Sequence, residues 1–211
     1  MEAITTLYLV RHGETAANVT ATLQGQSDVP LNENGLEQAR LVGKRLRNTP
    51  FDAIWSSDLS RAAVTAQAIA GERKVEYTTL LREWDLGDWV GLTWAEAGEK
   101  YPAEMALFRN GDPEAKVPGG ESRREFRERG AEVLRWVLEN FAGKKVLCVS
   151  HGGLLKAIYR AAAEGECHDS FLRTDNTCFC CLRHSAKTGR WQLVFWNDTA
   201  HLNSEALSSG W

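Results

Sequence analysis

The sequence predicts an α/β fold, a three-layer sandwich whose mostly parallel central sheet is flanked by helices, with a small cap-like insertion. Three observations predict it. Short apolar runs alternate with longer amphipathic ones, the pattern that strands and crossover helices leave in a chain. Two of those runs, "LYLV" and "VLCV", end alike, in Arg11, His12, Gly13 and in Ser150, His151, Gly152. Strands that finish this way in a parallel sheet bring their tips to one carboxyl edge, where open α/β folds form their ligand crevices. The length of 211 residues, 43% of them hydrophobic, suits one domain spanning residues 1–211 with a sizeable core.

"TTLYLV" is the first strand. A helix follows Asn32, a candidate N-cap, with Leu36, Ala39, Gly43 and Leu46 at spacings of three and four and Pro50 as its far limit. "FDAIWSS" is the second strand, and after Ser57 to Ser60, which offer a serine start, Ala62, Ala66, Ile69 and Ala70 define a helix that Gly71 stops. Residues 84–120 break this rhythm. Trp84, Trp89 and Trp94 stand there among glycines and short helix candidates, and the stretch ends in "VPGGES", which reads as an insertion above the sheet edge. From Glu121 to Phe141 a long helix carries Phe126, Val133, Leu134, Val137 and Leu138 on one side and a solvated charged face on the other. "KKVLCVS" is a further strand, and residues 176–197 predict two antiparallel strands around "AKTGR" at the end of the sheet.

Composition excludes several classes of function. A formal net charge of -3 provides no overall basic field for nucleic acid or a membrane surface, so an anionic ligand must be captured by a local cluster. "MEAITTLYLV" lacks the cationic start and long apolar run of a signal peptide, and no stretch approaches membrane-spanning length, so the chain reads as cytoplasmic. The five cysteines are odd in number, which favours free and mostly buried thiols. Cys148 lies in an apolar run, and Cys178, Cys180 and Cys181 alternate in a strand-like one, while Cys167 reads as an exposed thiol. A zinc site joining these to His168 or His184 lacks any paired C-x-x-C spacing.

The two histidine strand tips gain a third neighbour, because "AIWSS" reaches the same edge and is followed within one helical turn by Arg61. Singly, each of these side chains is an ordinary polar residue at a strand end. Together, two arginines and two histidines form a donor-rich pocket for a dianion, with glycines that let backbone approach it and a helix start near Gly153 that points N–H groups at it.

The stretches "LYLVRHGETAAN", "SSDLSRAAVTAQAIA", "LREWDLGDWVG", "PGGES" and "VSHGG" resemble, in that order, the motifs of the histidine phosphatase superfamily in its phosphoglycerate mutase-like branch. The resemblance runs from about Thr6 to Gly153, with a weaker echo in "NDTAHL". It implies that His12 is a nucleophile phosphorylated during turnover and that Arg11, Arg61 and His151 bind the transferred phosphoryl group. It implies further phosphate contacts from Asn18 and Gly152. "QGQSDVPL" resembles the family's next loop, with Gly25 matching a family glycine and Gln24 standing where the mutases often have threonine. Glu83 falls at the position of the acidic proton donor, with Asp85 and Asp88 as near rivals.

The implied chemistry is coherent. Arginines neutralise the oxygens of a phosphate monoester while an uncharged imidazole attacks in line, and His151, if protonated, adds charge opposite His12. Glu83 would protonate the alkoxide and then activate water. Fixed positive charge of this kind calls for no metal, and no cofactor is implied. The expected partner is a small phosphorylated metabolite. Residues 84–120 would wall its leaving-group pocket, where the tryptophans either stack on a ring or pack, and where Lys116, Arg123 and Arg124 either meet a second anion or lie in solvent. The stretch between Glu83 and His151 is shorter than the insertion the mutases usually carry, which favours hydrolysis. An α-ribazole-5'-phosphate phosphatase and a phosphoglycerate mutase are the alternatives, and a non-catalytic phosphate-binding module is the reading from another class. The C-terminal "FWNDTAHLNSEALSSGW" keeps His201, Leu202, Leu207 and Trp211, so surface packing or disorder competes with a lid or a homodimer contact.

Overall fold

A computed structural model describes residues 3–163 and 172–202. Strand β1 spans Ile4–Arg11, β2 Ala53–Ser57, β3 Glu76–Thr78, β4 Lys145–Ser150, β5 Phe179–Ser185 and β6 Arg190–Asp198. The sheet they form has the order β3-β2-β4-β1-β5-β6. The first four strands run parallel, while β5 is antiparallel to β1 and β6 antiparallel to β5. The expected antiparallel pair is therefore present at one side of the sheet. Strand β3 escapes the periodicity because three partly exposed edge residues carry no hydrophobic pattern.

Helices cover both faces. Helix α1 spans Ala16–Val19, α2 Glu33–Leu46, α3 Ser60–Ala70, α4 Trp94–Lys100, α5 Pro102–Arg109, α6 Arg123–Phe141 and α7 Gly152–Ala163. Alternation along the buried strands divides the core in two. Leu7, Leu9, Val146 and Cys148 face Phe126, Val133, Leu154 and Ile158 of α6 and α7. Val10, Leu147 and Val149 face Val42, Leu46, Ala66 and Ile69 of α2 and α3. Fully burying each such side chain contributes about 1.5–3 kcal/mol, which is why parallel strands covered on both sides read as continuous apolar runs. A third cluster gathers Leu23, Leu86, Trp89, Ala97, Met105 and Val117, with α4 and α5 around Trp89. None of the helices in the described residues is long and apolar enough to cross a membrane.

Local signals explain most boundaries. Asn32 caps α2 by accepting from the Gly35 N–H at 2.7 Å, and Gly71, at a φ of 60°, closes α3. Ser122 and Glu125 form a capping box that starts α6 at Arg123. No serine caps α3; Asp28 reaches over from another loop to accept from the Ser60 N–H at 2.7 Å. One expectation fails on α2. Leu36 is 51% exposed, and the buried stripe instead begins at Gly35. A Cβ at Gly35 would stand 2.0 Å from the Glu14 carbonyl oxygen, so the helix meets the loop after β1 backbone to backbone and admits no side chain there.

Residues 201 and 202 are half-buried, with His201 Nε2 3.1 Å from Thr177 Oγ1 and Arg45 paired with Asp198. Surface packing thus holds for this start of the C-terminal segment, while Leu207 and Trp211 lie outside the described residues, as do Cys167 and His168.

Helix propensity alone would make Gly35→Ala stabilising by up to about 1 kcal/mol. The contact with Glu14 reverses the sign, and the substitution is expected to lower the unfolding free energy by about 1–3 kcal/mol. The midpoint of urea denaturation reads this directly; an unchanged or raised midpoint would mean the Glu14 loop yields freely.

Candidate active site

Sheet register builds the site. Arg11 and Ser150 are paired Cα partners at the ends of β1 and β4, and the His12 N–H donates to the Ser150 carbonyl at 2.9 Å. The two histidines that follow these strand ends therefore emerge side by side, with ring centroids 5.1 Å apart. Arg61 enters from the first turn of α3, just after β2. A cavity of about 380 Å³ is lined by Arg11, His12, Asn18, Gln24, Gly25, Arg61, Glu83 and Gly152 together.

The two arginines are buried and held by backbone carbonyls. Arg61 donates through Nη1 to Ser27 O at 2.6 Å and through Nη2 to Gly25 O at 2.8 Å, and Arg11 Nη1 donates to Thr174 O at 2.5 Å. Burial pulls the Arg61 pKa down to about 10, opposed by Glu83 and Asp28, and lowers that of Arg11 as well. Arg61 has used three of its five N–H donors, so two remain for a ligand.

These cations set the state of the imidazoles. Burial, then Arg61, then Arg11 hold the His12 pKa well below its ordinary value, so the ring is neutral at pH 7. Its Nδ1 lies 2.6 Å from the Gly13 carbonyl, which cannot donate, so Nδ1 carries the proton and Nε2 keeps its lone pair. His151 departs from expectation. Arg61 Nε donates to its Nδ1 at 3.3 Å, so its proton sits on Nε2, 2.9 Å from Ser57 Oγ. Burial, Arg61, His12 and Arg11 all disfavour a second proton, and the ring is a fully buried neutral group behind the cavity wall rather than a cation on it.

Glu83 is seated on the start of α7. Its Oε2 accepts from the Gly153 N–H at 2.9 Å and its Oε1 from the Trp84 N–H at 3.0 Å. Arg129 of α6 fixes the backbone beneath, donating to Glu83 O at 2.9 Å while pairing with Glu121 at 2.7 Å. A Cβ at Gly153 would stand 2.3 Å from Glu83 Oε1, so only glycine leaves room for this carboxylate. Asp85 and Asp88 are off the cavity; Asp85 Oδ1 accepts from the Gly87 N–H within a turn. Asn18 Oδ1 is taken by Thr15 and Asn176, which leaves its amide Nδ2 to meet an anion, and Gln24 Oε1 accepts from Thr15.

The leaving-group side is aromatic. Trp84 stacks on Phe126 at 4.5 Å, and Trp84, Trp94, Phe108 and Phe126 all line the cavity, whereas Trp89 is wholly buried as packing. Lys116 and Arg124 are surface ion-pair partners of Glu125 and Glu114, and Arg123 lies over the Phe108 ring at 4.4 Å; none lines the cavity. Lys156 and Arg160 of α7 do, and the sequence reasoning missed them. Their signal was the i, i+4 spacing after Gly152. Thr174, which follows no pattern, was not legible.

A parallel-sheet crevice in which buried arginines surround a neutral, singly oriented histidine belongs to an enzyme that handles phosphoryl groups. The sequence matches the histidine phosphatase superfamily (branch 1) over residues 7–199. It is 33% identical over 207 residues to the metal-independent phosphoserine phosphatase of Arabidopsis thaliana, covering 95% of this chain and 84% of that one. It is 38% identical over 215 residues to a protein of Yersinia pestis named probable phosphoglycerate mutase GpmB, covering 95% and 96%. A crystal structure of a phosphoserine phosphatase variant from Entamoeba histolytica with phosphoserine superposes with a TM-score of 0.87 at 30% identity, covering 94% of this chain and 100% of that one. The chain belongs to the histidine phosphatase superfamily.

Neutral burial of His12 and His151 makes stability depend on pH. The unfolded chain takes up these protons below about 6.5 and the folded chain does not, so their contribution is complete above that pH and is lost as pH falls. The urea midpoint is expected to drop between pH 7.5 and pH 5. His12→Asn should make that drop shallower; an equal or steeper drop in the variant would contradict the neutral assignment.

Proposed function

We propose that this chain hydrolyses small phosphate monoesters through a phosphohistidine on His12. The observation that carries the reading is the neutral His12 ring, proton on Nδ1, sharing one cavity with Arg11, Arg61 and Glu83. The arginines, with Asn18 Nδ2, neutralise the phosphoryl oxygens while His12 Nε2 attacks phosphorus in line and the ester P–O bond breaks. Glu83, carrying a proton, gives it to the leaving alkoxide; as a carboxylate it then takes a proton from water, whose oxygen attacks phosphorus as the P–N bond breaks. Phosphate leaves and His12 is neutral again. His151, locked between Arg61 and Ser57, acts by orienting Arg61 and backing the His12 ring. Charge neutralisation comes from guanidinium groups, so no metal is required in this scheme. Residues 84–120 act as a cap on a single domain, lending the aromatic wall to the leaving group.

Relatives of nearly this length carry both phosphatase and mutase names, so the short segment after Glu83 does not by itself separate the two activities. Hydrolysis is favoured by a leaving-group end whose wall is largely aromatic and which, among the described residues, adds two cations, Lys156 and Arg160, rather than the dense basic lining that would hold a dephosphorylated product for return of its phosphate. With 3-phosphoglycerate and 2,3-bisphosphoglycerate as primer, phosphate release should outpace interconversion of the 2- and 3-phosphoglycerates; the reverse order would make this a mutase.

Rapid quench with labelled substrate is expected to find acid-labile, base-stable phosphate on His12, absent in His12→Ala, and label on a serine or aspartate would sink the mechanism. EDTA should leave kcat/KM essentially unchanged. Glu83→Gln should slow alkyl esters by about 10²–10⁴-fold and aryl phosphates far less, since aryl leaving groups need little protonation. Equal losses on both would assign Glu83 to phosphate binding instead.

A further inference from the structure

One face of α7 runs along the cavity. Gly152, Gly153, Lys156 and Arg160 recur at helical spacing, and all four line it. The first turn is the reacting end, because Gly152 lies against Arg11 and the Gly153 N–H holds Glu83. At 1.5 Å per residue, Lys156 stands one turn, about 5 Å, further along the axis, and Arg160 about 6 Å beyond that. The cavity therefore has a second cationic station at a fixed distance from the group that would protonate the leaving oxygen.

Lys156 differs from the other cations there. Arg11 and Arg61 are held by backbone carbonyls, and Arg160 has partners of its own. Lys156 is half-buried, yet among the described residues no carboxylate or carbonyl lies within ion-pair or hydrogen-bond distance of its ammonium. Burial and the nearby Arg11 both make its charge costly and lower its pKa, with Glu83 only partly offsetting them. An anion on the substrate would remove that cost.

We infer that Lys156 binds a carboxylate carried by the leaving group, so that the preferred substrates are phosphate esters of small hydroxy acids rather than of neutral alcohols. The inference rests on the hydrolase reading above. Lys156 offers a single ammonium at that station, with Arg160 engaged elsewhere, which matches the one charge of a carboxylate rather than the two of a second phosphoryl group. Spacing agrees, since a carboxyl group two carbons from the ester oxygen lies about one helical turn from the phosphorus. The stacked Trp84 and Phe126 rings, which line the same cavity, would exclude water and strengthen the pairing.

The test is a pair of esters that differ by one carboxylate, O-phosphoserine and O-phosphoethanolamine, each scored by kcat/KM. The wild-type protein should prefer phosphoserine. Lys156→Gln should reduce that preference by about 10–100-fold, chiefly through KM, and Lys156→Arg should keep most of it. Because both esters are measured on the same variant, any general loss of folding or of phosphoryl transfer cancels in the ratio. No wild-type preference, or a preference that survives Lys156→Gln, would overturn the assignment. Failure of the wild-type protein to release phosphate from aryl phosphates as well would be the separate failure of the hydrolase reading.

Discussion

Two guanidinium groups buried at the carboxyl edge of a parallel sheet are the constraint from which the rest of this site follows. Taking such charges out of water costs several kcal/mol each unless their donors are met. Here the carbonyls of Ser27, Gly25 and Thr174 meet them, which obliges two separate loops to converge on the strand tips. Burial first, and then the same positive field, denies protons to both imidazoles. On the proposed mechanism, the nucleophile would thus be kept neutral by burial and by the groups that would also attract a dianionic substrate. Neither effect could be tuned alone.

Much of this was legible because it is local. Apolar runs, the Asn32 and Ser122 caps and the Gly71 stop are written in short stretches, and five ordered motifs named the residues that meet at the cavity. What escaped reading depends on neighbours distant in sequence. His151 appears as a strand-tip twin of His12, yet Arg61 on one nitrogen and Ser57 on the other turn it into a backing group. Leu36 fits the helical period, but the close approach of Glu14 hands its place to Gly35. Lys116 and Arg124 sit in the right segment to face a ligand and instead find surface carboxylates.

Helix α7 links these parts. Its amide N–H at Gly153 orients Glu83, its side chains line the leaving-group end, and its inner face with Leu154, Leu155 and Ile158 is sealed into the core. Position along it is therefore rigid relative to the sheet. A helix so anchored can act as a ruler between phosphoryl transfer and substrate selection, which loops alone would do less accurately.

The described thiols add a consequence for oxidative conditions. Cys148, Cys178, Cys180 and Cys181 are all buried in the sheet, and burial pushes Cys148 up to about 12 and Cys181 up to about 11. Thiols are oxidised chiefly as exposed thiolates, and none of these four is exposed. On the proposed mechanism, the group that would take up phosphorus is an imidazole nitrogen, which peroxide does not carry through sulfenic and sulfinic states. Phosphatases that rely on a cysteine nucleophile fall silent when the redox balance shifts. Among the described residues cysteine sulfur is confined to the buried sheet, so a turnover through His12 would be decoupled from that balance at these four positions.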